Sequence, residues 1–136
     1  VVMHQNYYEG ILQLRNPTKA MAKHVRKHAD AIMKEVKVTN GIDFYFRSNR
    51  FLKSFAKRMQ QKYGGELKTS AKLHTRNRQT SKELYRVNVL LRMPSFRKGE
   101  AITYKGEKIR IIGIGKKVLA KKEDGKKLSL RFSDLQ

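Results

Sequence analysis

Cysteine and tryptophan are absent from the 136 residues, proline occurs twice, and Asp+Glu number only 11. The missing cysteine excludes disulfides, Cys-ligated zinc and thiol catalysis within this stretch. It agrees with a reducing compartment, and a cytoplasmic location is the expectation. No run of about 18 apolar residues exists, so no membrane-spanning helix is expected. The opening Val1-Val2-Met3 is too short for a signal peptide. The chain enters a strand-like segment almost at once, which reads as an excised fragment.

The scarcity of acid leaves the other sign dominant. Lys+Arg total 32, and the formal charge is +21. Such a balance repels itself in a compact monomer and attracts polyanions at long range. RNA, DNA and anionic membranes are the classes to weigh. A Lys/Glu-rich thermostable surface would carry matching acids, and here they are few. Residues 1–94 hold 20 Lys+Arg and 6 Asp+Glu, and residues 95–136 hold 12 and 5. Both parts are basic, which fits one extended partner touching both.

Residues 7–15 read as a strand with Tyr8, Gly10, Leu12 and Leu14 on one face. Asn16 as cap and Pro17 at the first helical position then predict a helix to about Lys34. Its apolar stripe is Met21, Val25, His28, Ala29 and Ile32. A strand region follows from Val36 to Arg47, with Asn40-Gly41 as a turn or bulge. Ser48 or Asn49 caps a second helix, 50–63, that ends at Gly64-Gly65. Residues 67–73 and 84–91 are two more strands around a polar hairpin loop, 74–82.

The first unit, 1–94, is therefore expected to be α+β, in the order β-α-β-α-β-β. Two helices would cover one face of a four-stranded sheet. Pro94-Ser95 breaks the pattern. Short strands with turn dipeptides Lys105-Gly106 and Asp124-Gly125 follow, and 95–136 reads as a small SH3-like β-barrel.

Arg76, Arg78 and Lys82 on the hairpin loop are the first candidates for RNA contact, since arginine bonds phosphate bidentately and stacks on unpaired bases. Arg50, Lys53 and Lys57 sit one turn apart on the second helix, and Lys23, Arg26 and Lys27 lie on the first. That spacing can follow a phosphate backbone. Lys116, Lys117, Lys121 and Lys122 flank one hairpin of the second unit. The plain alternative for each group is a solvated polar face. Tyr7 and Tyr45 fall on the side opposite the neighbouring hydrophobics and are candidates for base stacking. Phe44-Tyr45-Phe46-Arg47 does not match the signature of the RNA-recognition motif.

Catalysis finds little support. His24 and His28 have the i, i+4 spacing of a metal pair, but no glutamate lies between them and no third ligand is evident. No enzyme activity, metal or cofactor is expected. A general nucleic-acid-binding module is one reading of the charge, and an RNA-processing fragment using His24 or His28 is another.

Several segments carry a resemblance. They are Tyr7-Tyr8-Glu9-Gly10-Ile11-Leu12-Gln13-Leu14-Arg15, then Asn40-Gly41-Ile42-Asp43-Phe44-Tyr45-Phe46, then Ser70-Ala71-Lys72-Leu73 with Thr75-Arg76-Asn77-Arg78-Gln79-Thr80, and Tyr85-Arg86-Val87. Their order and spacing resemble archaeal relatives of the adaptor that exports large ribosomal subunits in eukaryotes, the nonsense-mediated decay protein three family. The resemblance implies a factor that binds the large ribosomal subunit through ribosomal RNA late in assembly. It also implies proximity to the protein-RNA stalk beside the tRNA exit region. The family's preceding zinc-binding region has no counterpart here, because every cysteine is missing.

Overall fold

β1 (Gly10–Arg15) alternates buried Gly10, Leu12 and Leu14 with half-buried Ile11, Gln13 and Arg15, the period of a strand with one covered face. The computed structural model describes residues 7–76 and 83–135, and the side chains of 7–73 and 85–135. After β1 come α1 (Lys19–Arg26), a 3₁₀ turn (Ala29–Ala31), β2 (Ile32–Val38) and β3 (Gly41–Phe46). α2 (Asn49–Tyr63), β4 (Glu66–Arg76) and β5 (Glu83–Arg92) complete the unit. The sheet order is β2-β3-β1-β5-β4. β1 runs parallel to β5, and every other pair is antiparallel.

Three expectations are corrected here. The sheet has five strands, not four, and the order is β-α-β-β-α-β-β. The first helix stops at Arg26 instead of reaching Lys34. Thr18, not Asn16, is its cap, with the Thr18 hydroxyl accepting from Met21 N at 3.2 Å. Asn16 instead takes φ 52°, outside the helix, and its Nδ2 donates to the Pro94 carbonyl at 3.0 Å. From Ile32 the chain is extended, as the β-branched Ile32, Val36 and Val38 favour. Thr39-Asn40 is a two-residue turn, because Val38 pairs with Gly41. A Cβ at Gly41 would run into the Leu14 carbonyl, so only glycine lets β3 begin this close to β1.

Both helices bury their apolar stripes in one core. Met21 and Val25 of α1 and Leu52, Phe55 and Met59 of α2 join Leu12, Leu14, Phe44, Phe46, Val87, Val89 and Leu91. No described helix packs on the sheet's other side. α2 matches expectation closely: the Ser48 hydroxyl accepts from Phe51 N at 3.3 Å, and Gly64 closes the helix at φ 77°.

The second unit is a four-stranded antiparallel sheet, β6 (Ala101–Tyr104), β7 (Glu107–Ile114), β8 (Val118–Lys122) and β9 (Lys127–Leu130), in chain order. It is open, with no pairing of β6 to β9, so the expected barrel is not closed. Phe96 and Phe132, from segments flanking the strands, fill the core with Ile109, Ile111, Val118, Ala120 and Leu130. They cover the face that closure would otherwise bury. The units touch at the end of α2. Gly65 N donates to the Gly115 carbonyl at 3.0 Å, and buried Gln60 donates from Nε2 to the Gly65 carbonyl at 2.9 Å.

Candidate nucleic-acid interface

No acidic residue occurs in either helix. α1 carries Lys19, Lys23 and Arg26, and α2 carries Arg50, Lys53, Lys57, Arg58 and Lys62, all exposed. The first turns hold Lys19 and Arg50 where the helix dipole favours an acid, forgoing about 0.3–1 kcal/mol each. A helix layer shaped only by stability would place Asp or Glu there. Lys23, Lys27, Lys53 and Lys57 form no ion pair among the described residues. Arg26 differs from the rest. Its Nε and Nη2 bind the Glu35 carboxylate at 3.0–3.2 Å, so it is committed within the fold.

The two helices meet at His24. Its Nδ1 lies 3.0 Å from the Tyr63 hydroxyl, and its ring packs on Phe55 at 5.7 Å and His28 at 6.2 Å. Desolvation, followed by the charges of Lys62, His28, Lys27 and Arg58, lowers its pKa below the ordinary 6.5. Cations of α2 and of the segment that follows α1 therefore act on one point. His28 packs on Phe51 and Phe55. Among the described residues no three His, Cys, Asp or Glu side chains are grouped to hold a metal.

The lowered pKa predicts a pH dependence. The folded state binds this proton less readily than the unfolded chain does. The His24 contribution is intact above about pH 6.5 and is lost as pH falls below that value and through the folded pKa. Wild type should lose melting temperature between pH 7 and pH 5 more steeply than His24→Phe. The His24 NMR titration midpoint should lie below 6.5, and a midpoint at or above 6.5 would contradict the packing described.

The lysines of the second unit do not form one patch. Lys116 and Lys117 are exposed and adjoin Gly115, whose carbonyl accepts from Gly65 N just after α2. Lys121 and Lys122 lie at the far end of β8, around one concavity with Lys108 and Arg110. Lys122 also pairs with Glu107 at 3.3 Å. Arg78 and Lys82 lie outside the described residues, as does the Arg76 side chain. Tyr45 stands on the helix-free face of the sheet. Tyr7 gives its hydroxyl to Glu9 at 2.6 Å, and burial with that bond pushes its pKa to about 12.

Sequence reasoning missed Arg58 and Lys62, although their spacing from Lys57 and Gln61 follows the same helix. It assigned Tyr8 to the core face. Tyr8 precedes β1 and escapes the strand's alternation, which had placed it with Leu12 and Leu14. Its ring meets Tyr45 edge-on at 4.8 Å.

No described helix is long and apolar enough to cross a membrane. No curated protein matches the chain. Residues 7–93 match the family model described as NMD3, second domain, up to the residue before Pro94. With nearly two thirds of its length matched, the chain belongs to the NMD3 family, and its role is a ribosome-related one.

Proposed function

We propose that the chain binds the large ribosomal subunit through ribosomal RNA, as a non-catalytic cytoplasmic factor in late subunit assembly or quality control. The acid-free helix layer is the observation that carries this reading. Lys23, Lys27, Lys53, Lys57, Arg58 and Lys62 are all exposed on this layer, which packs on one face of the sheet. Ribosomal proteins of the stalk near the tRNA exit region are the further contacts that the family suggests.

Phosphate contacts of this kind release counterions, so affinity must fall with salt. If about five phosphates are neutralised, doubling the salt should weaken subunit binding roughly 20-fold. A flat dependence would remove the electrostatic mechanism. The second reading, a nucleic-acid binder without ribosome preference, is favoured by one fact: lysine contacts to phosphate carry no sequence information. Competition separates the two. Large subunits should displace the chain from bulk duplex DNA at equal nucleotide concentration, and equal competition would favour the general binder.

A further inference from the structure

The helix-free face of the first sheet has a different chemistry from the helix layer. Register places Lys34, Tyr45, Ile11, Asn88 and Ser70 in one row across all five strands. Tyr8 folds onto this row beside Tyr45. The Lys34 ammonium lies 4.5 Å from the Tyr45 ring centre, and the Arg86 guanidinium lies 4.0 Å from that of Tyr8. The result is a continuous Lys34–Tyr45–Tyr8–Arg86 array, half-buried to exposed, on the sheet face that no described helix covers.

Few acids oppose it. Asp43 is neutralised by Arg15 at 2.7 Å. The adjacent Glu9 spends its two oxygens on the Tyr7 hydroxyl and the Asn49 amide. Arg86 Nε is inaccessible to solvent and has no hydrogen-bond partner among the described residues, and the Tyr8 ring lies against the guanidinium. Lys72 and Arg92 add positive charge on the same side of β4 and β5, where Lys68 pairs with Glu66 at 3.7 Å.

We infer that this face is a second RNA site, one that takes unpaired nucleotides by stacking and is distinct from the phosphate-binding helix layer. The inference rests on the ribosomal-RNA reading above and specifies which part of that RNA the sheet engages. Aromatic rings on an open sheet stack bases of any sequence, and flanking cations hold the backbone between them. A duplex keeps its bases inside and cannot use such a surface. Asn88 and Gln13 lie on the same face and can hydrogen-bond an exposed base edge.

The test compares a single-stranded RNA decamer with an RNA duplex of equal length, by fluorescence anisotropy on the whole chain. Tyr8→Ala with Tyr45→Ala should weaken single-strand binding by roughly 5- to 100-fold and leave duplex binding within about twofold. Tyr8→Phe with Tyr45→Phe should retain single-strand binding, because the rings remain. Lys34→Glu leaves both rings in place and should weaken the single strand selectively, covering the case in which the alanine variant unfolds. Equal losses on both RNAs, or wild-type single-strand affinity in both the alanine and the Lys34→Glu variants, would overturn the stacking site. So would a wild-type dimer that Tyr45→Ala dissociates, since a second copy would then occupy the face. A chain that binds neither RNA nor large subunits would instead defeat the ribosomal reading itself.

Discussion

Replacing Lys23, Lys27, Lys53 and Lys57 together by glutamine is expected to weaken large-subunit binding by about a thousandfold at 0.15 M salt. Each phosphate contact contributes about 0.9 decades of affinity per decade of salt below 1 M. At 0.15 M that is roughly 0.7 decades per lysine, and four lysines give about three decades. The slope of log affinity against log salt should also become shallower by about 3.6. The fold should not suffer. All four side chains are exposed and without ion pairs among the described residues, and removing charge from a +21 chain relieves repulsion. Cosedimentation with subunits at two salt concentrations, beside a thermal melt, reads both quantities. A loss under tenfold with an unchanged slope would move the contact off the helices.

Gly64→Ala should destabilise the protein by about 3 kcal/mol, lowering the melting temperature by roughly 10 °C. Two costs combine. Gly64 holds φ 77° and ψ −174°, a region open essentially to glycine alone. A Cβ there would also strike the backbone carbonyl of Ile114, which belongs to the second unit and cannot swing away like a side chain. Gly115→Ala is the control. It lies at the same junction, yet a Cβ on it meets nothing within 4 Å. Its melting temperature should stay within about 2 °C of wild type. Equal melting of the two variants would mean that the junction does not hold the α2 terminus as described.

Local signals explain what the sequence reveals of this fold. α2 is legible because its cap, its stripe and its closing glycine agree. β5 is legible because Val87, Val89 and Leu91 alternate with Arg86, Asn88 and Leu90. The 17–34 helix fails because the spacing of His28, Ala29 and Ile32 continues the helical stripe of Met21 and Val25 by coincidence. The β-branched run from Ile32 then obeys the neighbouring strand instead. The second sheet's strands are legible one by one, but whether β6 meets β9 depends on Phe96 and Phe132, whose roles no local pattern reveals. The helix lysines are legible as helical faces. The Lys34–Tyr45–Tyr8–Arg86 array is not, since its members come from four separate segments that only strand register aligns.

The parallel pairing of β1 with β5 has a consequence for how the molecule comes into being. These central strands lie more than 70 residues apart in the chain, and closing so long a loop is a slow, entropy-limited step. Until residue 92 has left the ribosome that makes it, β1 has an unfilled edge, and Arg86 cannot reach the ring of Tyr8. A nascent chain of this kind carries its lysines early but gains its aromatic face late. While still being synthesised it is a polycation, and its shaped sheet face exists only when the last strand of the first unit is in place.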